Sequence, residues 1–193
     1  MLEPDQQIDR HTSHRIVPMQ VLSLGCPRTG TLSMQEAYSM LGYAYPYHYS
    51  SVFENIQDAD MWQEALRSKY HGGPALDWKK HFDSLLGHSA AITDAPAVLF
   101  WRELMDAYPD AKIVLVDRDI NRWLPSCEVL LTGVLNPFAG YVLRFTDPAS
   151  VERHLSLRVS MSSEPGSISD DMHHGGRCPL YSFCSGRHRR TCP

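Results

Sequence analysis

The residues best suited to chemistry lie in one short stretch, Gly25-Cys26-Pro27-Arg28-Thr29-Gly30-Thr31-Leu32-Ser33. The apolar run MQVLSL, Met19 to Leu24, leads into it as a buried strand would. In TLSMQEAYSMLG, which follows, Met34, Ala37, Tyr38 and Leu41 fall on one face of a helix, with Gly42 placed as a left-handed C-cap. A strand, a glycine turn and a helix aim successive N–H groups inward, and the helix N-terminus adds roughly half a positive charge. Gly25, Pro27, Gly30 and Leu32 shape such an oxyanion cradle, Arg28 adds a charged fork of donors, and Thr29, Thr31 and Ser33 add hydroxyls. The expected ligand is phosphate-like. A glycine turn without a ligand is the plainer alternative, but strand, loop, helix, arginine and hydroxyls all coincide here.

The glycine spacing also fits G-x-x-x-x-G-K-[ST], the loop of P-loop NTPases. Thr31 stands where that loop needs lysine, and Leu32 where it needs the Mg²⁺-binding hydroxyl. A second polar cluster follows the apolar run KIVLV, Lys112 to Val116: Asp117-Arg118-Asp119-Ile120-Asn121-Arg122-Trp123-Leu124-Pro125-Ser126. A strand-end Arg118 and a first-turn helical Ser126 can converge on one dianion. The competing reading for Arg118 is a salt bridge to Asp119 or Asp94.

Pro27-Arg28-Thr29-Gly30-Thr31 resembles the loop with which sulfotransferases that use 3′-phosphoadenosine 5′-phosphosulfate (PAPS) hold the donor's 5′-phosphosulfate. The resemblance implies that Arg28 touches the sulfate being transferred. The stretch from Arg118 to Ser126 resembles the second signature of those enzymes, which implies that these two residues bind the 3′-phosphate. Tyr47-His48, Asp94-Ala95-Pro96 and FWRELMDAYPDAKIVLVDRD are similar to a single-domain sulfotransferase-like branch, and the likeness runs from about Gln20 to Pro137. Asp94 sits where cytosolic sulfotransferases carry a catalytic His before Leu-Pro, so the resemblance makes it the first candidate base; capping of the helix near Pro96 competes with that role. His48 is the second candidate, since imidazole titrates near neutral pH, against a packing role among the neighbouring tyrosines. Glu103, a distant third, and Arg102 fall on the polar side of their helix, where solvation or pairing is expected.

The elements that must position these groups are readable in part. Helices are expected from about Asp58, burying Met61, Ala65 and Leu66, and from Asp77, burying Trp78, Phe82 and Leu85. A strand is expected at Ala90 to Thr93, then a helix starting near Pro96 with Ala97, Trp101, Leu104, Met105 and Tyr108 on one face. A last helix follows Asp119, covering Trp123 to Leu131. Continuously apolar strands alternating with amphipathic helices predict an α/β, three-layer P-loop-type fold, its central parallel sheet covered by helices on both faces. The expected organisation is a flexible N-terminus over 1–15, one α/β domain over 16–150 and a low-order tail over 151–193, where Ser, Gly, His, Arg and Cys replace apolar periodicity.

With 193 residues, 43% hydrophobic and 21% charged, the chain suits one globular domain. A formal charge of -4 argues against a duplex nucleic-acid binder, which needs a basic face. The first residues do not read as a secretory signal and no apolar run reaches membrane-spanning length, so a soluble cytoplasmic protein is expected. Five unevenly spread cysteines suggest free thiols. Cys178, Cys184, His188 and Cys192 could be written as zinc ligands, but their spacing is no standard finger or ribbon, and no metal is expected. The resemblance also implies a closing segment after the second signature, which the tail is not expected to supply. The leading expectation is therefore sulfuryl transfer from PAPS to a hydroxyl or amine of a small organic acceptor, with no metal. The alternatives are a P-loop nucleotide-binding NTPase or kinase, and a truncated sulfotransferase-like binding protein without catalysis.

Overall fold

The computed structural model describes residues 8–134. Its elements run β1 (Val21–Ser23), α1 (Thr31–Met40), α2 (Ser51–Glu54), α3 (Gln57–Tyr70), α4 (Trp78–Leu85), β2 (Ala91–Thr93), a 3-10 turn (Ala97–Phe100), α5 (Trp101–Ala107), β3 (Lys112–Val114) and α6 (Ile120–Val134). The sheet is parallel in the order β2-β1-β3, with Leu22 level with Ile92 on one side and Ile113 on the other. Parallel pairing demands long crossovers, and the helices supply them. After β1 the chain goes to one side to make β2 and then to the other to make β3. The loop leaving β1 therefore sits at a topological switch point, where open α/β sheets bind ligands.

Side chains alternate across the sheet, so each face recruits its own layer. Val21 and Ala91 meet Tyr38 of α1, with Met34, Tyr43 and Val114 packed around them. Leu22 and Ile92 join the main core on the other face. That core is aromatic: Trp62 lies 5.6 Å from Phe100 and 6.3 Å from Phe82, and Trp78 stacks on Phe82 at 5.8 Å. Asp77 begins α4 as expected, its carboxylate accepting the Lys80 N–H at 3.1 Å. The three-layer α/β architecture follows from these two apolar faces.

Several expectations need correcting. Leu41, read as part of the buried face of α1, is exposed, because the helix ends at Met40 and Leu41 serves as its C-cap. The helix foreseen near Pro96 opens as a tight 3-10 turn before becoming α5 at Trp101. The short α2 had no legible periodicity. The sheet is not covered equally: at its β3 edge Ile113 and Leu115 are exposed among the described residues.

The stretch expected to be a flexible N-terminus makes specific contacts from Ile8 onward. Ile8 exchanges hydrogen bonds with the Asn55 side chain, at 3.1 and 3.0 Å. Arg10 reaches the buried Asp58, donating from Nε at 2.6 Å and from Nη2 at 3.2 Å. Asp58 also accepts from Tyr47 Oη and from Asn55. Burial pushes this carboxyl above its ordinary range, and the donors from Arg10, Asn55 and Tyr47 pull the other way. Farther on, Ile16 and Val17 donate to the Gly87 carbonyl; a Cβ on Gly87 would sit 2.5 Å from His14 O, so glycine is what lets the arm lie there. Charged residues without apolar periodicity gave no sign of this docking, because their partners are distant in sequence. The tail foreseen at 151–193 lies outside the described residues.

Candidate functional site: a glycine loop beside a buried acid–histidine pair

The loop is tight for identifiable reasons. Gly25 is buried, and a Cβ there would stand 2.9 Å from Thr29 Oγ1. Thr29 donates to the Cys26 carbonyl from both its N–H, at 3.2 Å, and its hydroxyl, at 2.6 Å. Arg28 and Gly30 take positive φ, 68° and 90°, which brings the chain round to begin α1. The first helical bond runs from Met34 N–H to Gly30 C=O at 3.0 Å, and no side chain caps the helix. The N–H groups of Thr31, Leu32 and Ser33 thus precede the helix ladder and carry its positive end.

The second cluster is fastened to this loop. Trp123 Nε1 donates to the Pro27 carbonyl at 2.8 Å, and the Cys127 thiol lies 3.7 Å from the same oxygen. Arg118 Nη1 donates to the Arg28 carbonyl at 2.5 Å, and Arg28 Nε donates to Ser126 Oγ at 3.0 Å. Arg118 thus contacts the loop and makes no salt bridge to Asp119 or Asp94. Arg28 and Arg118 are both exposed, so their remaining N–H donors stay open to a ligand. Asp119 shapes the start of α6, its carboxylate accepting the Arg122 N–H at 3.2 Å. Because α6 begins at Ile120, Ser126 falls in its second turn and not in the first.

The candidate bases meet. Tyr47 pairs with β2 like an extra strand residue: its N–H donates to Ala91 C=O and its carbonyl accepts from Thr93 N–H, both at 2.8 Å. That register carries His48 to the end of β2, where Nε2 lies 3.1 Å from Asp94 Oδ2 and 3.2 Å from Thr31 Oγ1. Asp94 takes a positive φ of 72°, which turns it out of the strand, and its other oxygen, Oδ1, is buried without a hydrogen-bond partner. The expected alternative, capping of the helix near Pro96, is not what the carboxylate does, since no side chain caps the 3-10 turn. The Ser50 N–H donates to His48 Nδ1 at 3.0 Å and Ser50 Oγ lies 3.0 Å from the same nitrogen, while Nε2 faces the Asp94 carboxylate, which suits a proton on Nε2.

A family model for the sulfotransferase domain matches residues 20–171. The chain belongs to the sulfotransferase domain family. It is also 37% identical over 129 residues to "Ava biosynthesis cluster protein M" of Aspergillus versicolor, an alignment covering 67% of this chain and 49% of that protein. The chain therefore spans about half the length of this curated relative.

Within this sulfotransferase domain the residues singled out from sequence fall into one neighbourhood. Gly25, Pro27, Arg28, Thr29 and Gly30 form the loop, Thr31 opens α1, and Arg118 and Ser126 touch Arg28. Asp94 and His48 join through Thr31. Leu32 and Ser33 contribute first-turn backbone, while their side chains are exposed. Glu103 is engaged elsewhere, paired with Lys69 at 2.8 Å. Sequence reading missed Trp123 as the clamp on the loop and Ser50 as the residue that fixes the imidazole; neither has a motif. The free-thiol expectation fails at Cys26, which is disulfide-bonded. Cys127 is free and buried, and burial pushes its thiol up to about 11 although Arg28 and Arg118 pull it down. Cys178, Cys184, His188 and Cys192 lie outside the described residues. No helix among the described residues is long and apolar enough to cross a membrane.

Proposed function

We propose that this sulfotransferase-family chain transfers a sulfuryl group from PAPS to a hydroxyl or amine of a small organic acceptor. One observation carries the reading: Arg28, Arg118 and Ser126 gather at the uncapped start of α1, within one residue's contact of Asp94 and His48. Amide donors and two guanidinium groups suit an anion with charge at two places. Thr31 and Leu32, in place of the lysine and hydroxyl of P-loop NTPases, favour this reading over Mg²⁺-dependent hydrolysis.

The first-turn amides and Arg28 hold the donor's 5′ end, and Arg118 with Ser126 holds its 3′-phosphate. The acceptor's oxygen or nitrogen bonds to sulfur as the bond from sulfur to the 5′-phosphate oxygen breaks, leaving adenosine 3′,5′-bisphosphate. Arg28 offsets the negative charge that gathers on that departing phosphate. The acceptor's proton goes to Asp94 Oδ1. With Nδ1 engaged by Ser50 and Nε2 turned to the carboxylate, His48 orients Asp94 and Asp94 is the base.

Calorimetry with adenosine 3′,5′-bisphosphate tests the donor site. Binding is expected, weakened about 10- to 100-fold in Arg118→Ala, the loss typical of a charged hydrogen bond. Absence of binding to the folded protein, or equal binding by the variant, overturns the reading. Asp94→Asn should bind the bisphosphate as before while losing about 10²- to 10⁴-fold in transfer from labelled PAPS.

A further inference from the structure

Thr31 is buried where the loop meets the acid–histidine pair. Its hydroxyl belongs to the first residue of α1, where an anion on the loop would meet it, and it lies 3.2 Å from the Nε2 of His48, whose other neighbour at 3.1 Å is Asp94. We propose that Thr31 couples occupancy of the loop to the base, so that Asp94 becomes a better proton acceptor when the donor's 5′ end is in place. The inference rests on the donor-binding reading above and goes beyond it by giving Thr31 a positioning role toward Asp94.

The hydrogen bonds fix how this works. His48 Nε2 faces the Asp94 carboxylate and so carries a proton there, between Asp94 Oδ2 and Thr31 Oγ1, while Nδ1 meets the Ser50 N–H and, 3.0 Å away, Ser50 Oγ. Ser50 Oγ in turn lies 3.4 Å from Gln35 Oε1 on α1, and Gln35 Nε2 donates to the Pro46 carbonyl at 2.9 Å. The imidazole, 3.0 Å from Ser50 Oγ, is thus anchored to the helix into which the loop leads and has little freedom to swing away. Thr31 has a single O–H. With an anion on the loop, that O–H turns to it, and the hydroxyl oxygen then presents its lone pairs to His48 as a stronger acceptor. The Nε2 proton is shared more evenly between Thr31 and Asp94. The carboxylate gives up part of a bond that had favoured its charged form, and its partner-less Oδ1 gains affinity for the acceptor's proton. The Asp94 side chain is only 9% exposed, so little solvent competes with this exchange.

Nitrogen-15 and proton spectra of the imidazoles of the full chain test the coupling, with His48 assigned by loss of its signals in His48→Gln. Saturating adenosine 3′,5′-bisphosphate should move the His48 Nε2–H resonance while Nδ1 keeps the shift of a lone-pair nitrogen. Thr31→Val, saturated with the same compound, should show no such movement, and Thr31→Ser should restore it. An unmoved Nε2–H in the saturated wild type, or the same movement in Thr31→Val, overturns the coupling and leaves the donor-site reading standing. Calorimetric absence of bisphosphate binding overturns both.

Discussion

The aromatic core and the glycine loop are built on opposite terms. Around Trp62, four large rings from α3, α4 and the 3-10 turn interlock, and the nearby polar groups are satisfied: Trp62 Nε1 donates to Tyr47 Oη at 3.0 Å, and Tyr47 donates to Asp58. Around Gly30 the chain holds two non-glycine residues at positive φ, Arg28 and Asp94, leaves the first turn of α1 uncapped, exposes two arginines and buries a carboxylate oxygen without a partner. The strained backbone, the uncapped turn and the partner-less oxygen each cost stability, and none improves packing. The contrast separates a region whose features serve stability from one whose features, on the proposed reading, serve a ligand. The expectation is that stability and ligand binding respond to different residues.

Trp62→Ala gives the largest change in stability expected, about 3–5 kcal/mol by denaturant unfolding, from lost burial and the cavity left behind. A loss below about 1 kcal/mol would mean that the aromatic cluster is not the main support of the fold. Acid comes next. Burial lowers the pKa of His81, with opposition from the Met61 carbonyl and Glu64 and a smaller lowering push from His11; burial likewise lowers His88. The unfolded chain therefore takes up these protons before the folded one does, so stability should fall as pH drops below the ordinary histidine value near 6.5. A denaturation midpoint unchanged between about pH 7.5 and 5.5 would break this expectation. Asp83 adds a second stage at lower pH: burial raises it, but bonds from Lys79, Arg15 and Tyr108 prevail and its pKa is lowered. Its contribution is lost as pH falls through that lowered value. Smallest of all, Arg118→Ala should alter stability by no more than about 0.5 kcal/mol, as exposed substitutions do. A large destabilisation would make Arg118 a structural clamp and erase the contrast between the two regions.

Much of the scaffold was legible because it depends on local pattern. Asp77 caps α4, the apolar face of α3 falls at Met61, Ala65 and Leu66, and β1 delivers the chain into the loop, all as residue spacing predicts. Where the signal was faint, the reading slipped. Leu41 continued a helical stripe that the backbone had already left. Ile113 and Leu115 looked like buried strand residues, since a short apolar run does not say whether it lies at the centre or the edge of a sheet. The docking of the arm through Arg10 could not be read at all, because a buried arginine and an exposed one look alike until the partner, Asp58, is brought near.

The site divides in the same way. Sequence alone determined the chemical kind of the loop: glycines that permit the turn, an arginine and hydroxyls that suit an anion, and a helix start behind them. It also named Asp94 and His48, but as rivals. Tertiary structure decided that they are partners, because the pairing of Tyr47 with β2 carries His48 to the strand end where Asp94 turns outward. It decided too that Arg118 and Ser126 join Arg28, through α6 being fastened to the loop by Trp123. Composition and spacing act over a few residues of chain, whereas a proton's path depends on ångström distances between residues that only the packed sheet brings together.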